Sequence, residues 1–290
     1  MFFCYLGFLV MIFFILQAVA FLTLLERHLL GGSQCRIGPN KVGYGGVLQA
    51  LMDGFKLIKK EQIFLFVSNS IFFFIVPCFG FVVMIFFWFS LPYFFVFFDF
   101  DYSGVFLLCL LAFSVFSVML SGIFSGSLYS FLGGLRGCSQ SFSYEIAFSF
   151  FILFFVFVGG GLCLFSGFSF LFFFLIFYFF VLVLIDLHRA PFDFSECEGE
   201  LVSGFNVEYS SVGFAVLFLS EYGNLIFFSV LMSSFFFNLS FLFFYVLVLC
   251  IVFCRSAYPR YRFDKLMNMC WFDFFPFGAY LLFFFCFVFF

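Results

Sequence analysis

The sequence predicts an all-α integral membrane protein: a single transmembrane domain over residues 1–290, built as a bundle of about eight helices with an interfacial amphipathic helix in its first long loop. Three observations carry this. Hydrophobic residues make up 66% of the chain and charged residues 9%, whereas a soluble domain carries roughly a quarter charged residues. Mean hydropathy is +1.27, more apolar surface than a water-facing fold can hide. The apolar residues also fall into separate runs of the length needed to cross a bilayer, about 20 residues each.

The first run, from Phe2 to Leu25, has no Lys or Arg before Arg27 and no small-residue cleavage site after it, so it reads as a retained helix near 2–24 rather than a removable signal. The second, near 66–89, contains Pro77, which should kink it, and ends toward Pro92. Further runs follow near 104–124, 142–162, 168–187, 212–232, 235–253 and 274–290. Phenylalanine dominates them, with 68 copies. Lipid gives no reason to prefer it over leucine, so this richness is expected of a T-rich coding strand such as small organellar genomes carry.

The loops separate by charge. Arg27, Arg36, Lys41, Lys56, Lys59 and Lys60 follow the first helix, Arg136 precedes the fourth, Arg189 follows the fifth, and Arg255, Arg260, Arg262 and Lys265 follow the seventh. The basic loops, about 26–65, 125–141, 188–211 and 254–273, therefore share one face, which the positive-inside rule assigns to the cytoplasm or mitochondrial matrix, with both termini opposite. In the first loop Leu48, Leu51, Met52, Phe55 and Ile58 recur at helical spacing opposite Gln49, Asp53, Lys56 and Lys60, the pattern of a helix lying in the interface.

Carboxylates within apolar runs point to chemistry. An acid at the bilayer centre costs roughly 2.5–3.5 kcal/mol on insertion scales, so Glu145 and Glu221 are expected to face the bundle interior or water. Tyr144, Ser220 and Tyr222 stand beside them as relays or as partners that satisfy the acids. The loop DLHRAPFDFSECEGELVSGFNVEYSS crowds Asp186, Asp193, Glu196, Glu198, Glu200 and Glu208 around a lone cation, Arg189. Such crowding raises some carboxyl pKa values and suits proton transfer or cation binding, while a solvated acidic loop is the plainer alternative. The eleven cysteines form no Cys-x-x-Cys pair and mostly sit in apolar runs, so no metal or cluster ligation is expected on this chain. No phosphate loop, dinucleotide fingerprint or hydrolytic triad is present.

In order along the chain, LTLLERHLLG, QCRIGPNKVG, LMDGFKLIKKE, SYEIAF, RAPFDFSECEGELVSGFNVEYSS, SEYGNL and RSAYPRYRFDKLM resemble chain 1 of NADH:ubiquinone oxidoreductase, respiratory complex I. The resemblance implies a proton-translocating respiratory enzyme in the mitochondrial inner membrane. It implies ubiquinone or rhodoquinone as substrate, and NADH, FMN and iron–sulfur clusters held by partner subunits. It implies as partners the hydrophilic quinone-module subunits, neighbouring membrane-arm subunits and lipid, with no nucleic acid. It assigns Glu26, Arg27, Arg36, Asp53, Lys56, Arg255 and Arg260 to the quinone entrance and cavity, and Glu145, Glu196, Glu198, Glu200, Glu208 and Glu221 to an acidic proton path. Departures from the family pattern are modest: His28 for lysine, Gln62 for proline, Gly199 for serine, and Phe272 with Asp273 for lysine and asparagine. A stand-alone ion antiporter would share the intramembrane acids, but it predicts inverted repeats and broken helices that the sequence does not display. Membrane subunits of hydrogenases share the acids without needing the basic entrance residues.

Overall fold

The computed structural model describes residues 2–63, 70–92, 102–158, 173–195, 201, 204–237 and 239–289. The helices are α1 (Phe2–Ser33), α2 (Val47–Lys59), α3 (Ser70–Phe87), α4 (Ser103–Phe124), α5 (Leu128–Val158), α6 (Phe173–Asp186), α7 (Ser211–Phe237), α8 (Phe241–Ala257), α9 (Phe263–Met269) and α10 (Phe275–Phe289), with a π turn, Cys270–Phe274, joining the last two. Among the described residues six helical spans are long and apolar enough to cross a membrane, and two shorter apolar helices, Phe174–Asp186 and Phe241–Ala257, complete the eight expected runs. Among the described residues there is no strand. The chain is a multi-pass, all-α membrane protein.

Helix ends differ from the sequence reading most in three places. The first helix continues to Ser33, well into the expected first loop. Residues 128–141, expected as loop, are the first turns of α5, and the 254–273 loop shrinks to a short link because α8 runs to Ala257 and α9 starts at Phe263. Length explains the first two. At about 1.5 Å per residue, helices of 32 and 31 residues exceed a hydrocarbon core of about 30 Å and must project beyond it. Pro77 lies inside α3 and does not end it.

Glycine placement explains why residues 128–141 are helical despite a composition that punctuates helices in water. A Cβ on Gly122 of α4 would lie 2.8 Å from both the Gly134 Cα and the Ser130 carbonyl oxygen, and one on Gly133 would lie 2.9 Å from the Gly204 Cα. The glycines let α4, α5 and the 204–206 turn meet backbone to backbone, the means by which membrane helices associate where lipid is as apolar as the interface. Gly122→Ala is therefore expected to cost about 1–3 kcal/mol of overpacking. The readout is a lower thermal midpoint.

Aromatic stacking fills the centre of the bundle. Phe155 of α5 stacks on Phe235 of α7 at 4.7 Å, Phe148 on Phe179 of α6 at 5.0 Å, and Phe87 of α3 on Phe227 at 4.9 Å. The opposite surfaces of the outer helices expose Phe174, Leu242, Phe284 and Phe287, as a lipid-facing wall requires. Helix α2 leaves Leu48, Leu51, Met52, Phe55 and Ile58 exposed in one stripe. Its C-terminal end is tied to the start of α7 by the Ser211 hydroxyl, which donates to the Leu57 and Lys60 carbonyls at 3.1 and 2.8 Å.

Candidate functional site

Two cavities border α7. The larger is an open groove of 690 Å³ walled by α1, α2, α7 and α8. Its sides are mainly apolar, with Val19, Leu30, Leu57, Phe214, Phe218 and Leu219 among them, while Arg27, Asp53, Lys56 and Lys60 supply charge from α1 and α2. Arg27 and Asp53 pair across it at 2.7 Å, each roughly half exposed. Glu26, adjacent to Arg27 on α1, is only 5% exposed. Its carboxylate accepts from Arg255 Nη1 at 2.5 Å, from the Tyr222 hydroxyl at 2.7 Å and from Arg189 Nη1 at 3.4 Å.

The second cavity, about 70 Å³, lies inside the bundle and is bordered by α3, α4, α5, α7 and the turn after α6. It has room for on the order of five waters. Ser114, Ser117, Ser141, Ser195 and Ser220 line it together with Asp186, His188, Arg189, Glu221 and Asn224. The turn carrying His188 and Arg189 is fixed from α5: the fully buried Gln140 amide donates to the Ile185 and Phe192 carbonyls at 2.8 and 2.9 Å. His188 Nε2 meets the Ser141 hydroxyl at 3.0 Å, and its Nδ1 is buried without a partner. Burial pushes the His188 imidazole down to about 4, so the ring is neutral at physiological pH. For Arg189, burial works against the charge, but Tyr222, Glu26 and Glu221 outweigh it and hold the guanidinium protonated. Its carbon lies 4.2 Å from the Tyr222 ring centroid, within cation–π range.

A family profile described as NADH dehydrogenase matches residues 6–286. The chain is 41% identical to "NADH-ubiquinone oxidoreductase chain 1" of Aedes aegypti, with 96% of this chain and 94% of the relative covered. It is 40% identical to the protein of that name from Anopheles gambiae (96% and 93% covered) and from Locusta migratoria (97% and 94%). The chain belongs to the NADH-ubiquinone oxidoreductase chain 1 family.

Of the seven residues that the chain 1 resemblance assigns to quinone, the groove gathers Glu26, Arg27, Asp53, Lys56 and Arg255. Arg36 is exposed beyond the end of α1, where its Nε donates to Gln34 at 2.9 Å. Arg260 faces Asp193 at 3.8 Å, on the link after α8. Neither borders the groove. Of the six acids, Glu221 lines the interior cavity and is met by Asn206 Nδ2 at 3.4 Å. Glu145 of α5 does not line it but interacts electrostatically with Asp186, which does. Glu208 is half-buried and borders neither cavity. Glu196, Glu198 and Glu200 lie outside the described residues. Sequence reasoning gave Arg189 no role of its own and left Asp186 and His188 among general loop features. The available signal for Arg189 was its place as the lone cation in an acidic loop.

Proposed function

We propose that this chain is the quinone-facing membrane subunit of a proton-translocating NADH:quinone oxidoreductase, and that the groove between α1, α2, α7 and α8 admits the quinone. One observation carries the reading: an apolar-walled groove with a charged rim runs to the buried Glu26 carboxylate, which holds the Tyr222 phenol and the partly exposed Arg255 guanidinium. A quinone has the matching chemistry, with an apolar tail and two carbonyl oxygens that can only accept hydrogen bonds. The groove volume of 690 Å³ falls within the usual range for small-molecule sites, about 300–1,000 Å³. In this reading the electrons come from the flavin and iron–sulfur clusters of partner subunits. Reduction to the quinol consumes two electrons and two protons, and this chain supplies binding, orientation and a route for protons from the groove past Glu221, Asp186 and Glu145. The one-sided placement of Lys and Arg supports docking of the hydrophilic arm on the matrix face of the mitochondrial inner membrane, with both termini in the intermembrane space.

Asp53→Asn tests the groove. Its pair with Arg27 is half exposed, a contact worth up to about 1 kcal/mol, so the KM for a short-chain quinone should rise by up to about fivefold. Sensitivity to quinone-site inhibitors should fall, while NADH oxidation by a hydrophilic acceptor stays unchanged. Equal loss of both activities in fully assembled complex would refute a local role at quinone entry.

A further inference from the structure

One charged residue of the interior cavity reaches side chains of the groove. Glu26, Tyr222 and Arg255 line the groove, and Glu221 lines the interior cavity. Tyr222 and Glu221 are consecutive on α7, so a turn of about 100° between them aims one at each cavity. Arg189 also lines the interior cavity, yet its Nη1 is 3.4 Å from Glu26 and 3.4 Å from the Tyr222 hydroxyl on the groove side. Its side chain is only 13% exposed, so water does little to screen it.

Charge balance requires both acids. Glu26 faces two guanidinium groups, and Arg255 alone, at 2.5 Å, already neutralises it. Arg189 is then a surplus buried cation, a state that proteins sustain only with a compensating charge. Glu221 is that charge, since it acts electrostatically on the Arg189 guanidinium. With Glu221 ionised, the four formal charges cancel. The base of the Arg189 side chain is fixed by the Gln140 clamp on its turn, and its head lies over the flat face of Tyr222, a surface on which a guanidinium can slide without losing contact.

We propose that Arg189 is a positioning residue that links the two cavities, its single charge divided between Glu26 in the groove and Glu221 in the interior, so that a change of charge at either acid moves the guanidinium toward the other. The inference rests on the quinone reading of the groove. Such a link is reciprocal by thermodynamic necessity: whatever neutralises Glu26 strengthens the Arg189 hold on Glu221, and the reverse. Arginine suits the task because its planar fork can contact two acceptors at once, whereas lysine brings a point charge.

The test uses membranes containing the assembled complex with Arg189→Met or Arg189→Lys. With methionine, quinone-reductase kcat should fall about tenfold and protons translocated per electron should drop, while the KM for a short-chain quinone stays within about twofold and hydrophilic-acceptor activity is unchanged. Lysine should restore at least about half of the turnover by returning the charge. Two results overturn the proposal: an unchanged proton-to-electron ratio with methionine, or a lysine chain no better than the methionine chain, which would place the role in shape. If the methionine chain fails to assemble, Arg189→Gln, which keeps hydrogen-bond donors without the charge, takes its place. A lowered proton-to-electron ratio with glutamine then supports the link, and a normal ratio contradicts it. Failure of the underlying groove reading would show separately, as Asp53→Asn leaving quinone KM and inhibitor sensitivity untouched.

Discussion

Glu26→Ala is expected to deplete the assembled complex. Removing one partner of a buried pair costs about 3–5 kcal/mol because the remaining charge is stranded. Arg255 can turn outward, since its side chain is 39% exposed, but Arg189, at 13%, cannot. The penalty therefore falls on Arg189, which loses its Glu26 contact and keeps Glu221 as a partial counter-charge, so the cost lies toward the lower end of that range. Tyr222 also loses the acceptor that it meets at 2.7 Å. Glu26→Gln keeps that acceptor and should be milder, with partial assembly. Complex content on native gels and the thermal midpoint of purified complex measure the effect. Normal content and midpoint in the alanine chain would mean that the cluster contributes nothing to folding. Asp53→Asn, by contrast, breaks a half-exposed pair and should leave assembly intact.

Glu221→Gln separates turnover from stability. An amide keeps the shape of the acid and can still hydrogen-bond Asn206, but it removes one of the two charges that balance Arg189 and leaves Glu26 as the other, so assembly should fall less than in Glu26→Ala and turnover is read per assembled complex. If Glu221 carries protons, the substitution removes the titrating group. Acid–base groups contribute about 10²–10⁴-fold, so coupled quinone reduction and proton pumping should fall by at least the lower of these factors. Pumping close to wild type at normal assembly would leave Glu221 as a packing residue.

The eight apolar runs were legible because lipid imposes one rule on every crossing segment, and length and hydropathy read that rule directly. Helix ends were not, because the residues that set them carry the opposite meaning in water. Gly133, Gly134 and Gly137 look like loop punctuation until Gly122 and Gly204 are seen against the first two, and Ser195 and Val118 against the third. The site divides in the same way. Glu145 and Glu221 stood out because an acid in an apolar run is costly wherever it packs. Arg36 and Arg189 could be placed only by the tertiary fold. Continuation of α1 to Ser33 carries Arg36 away from the groove, and the hold of Gln140 on the 185–192 turn carries Arg189 into the bundle.

The serines around the interior cavity have a consequence for the sign of what can enter it. Ser114, Ser117, Ser141 and Ser220 donate their hydroxyl protons to carbonyls of their own helices, at 2.7, 2.6, 3.0 and 2.6 Å. A hydroxyl has one proton and two lone pairs, so each spent donor still has lone-pair capacity to offer. The Asn224 Oδ1 is a further buried oxygen without a partner, and Asp186 and Glu221 add carboxylates. Ser195, whose buried hydroxyl has no partner, keeps its proton to give, but the rest of the wall is predominantly an acceptor surface, suited to species that bring hydrogens, such as water or hydronium, and poor for chloride. Among the described residues of the lining only Arg189 offers an anion a full positive charge, and that charge is engaged by Glu26 and Glu221.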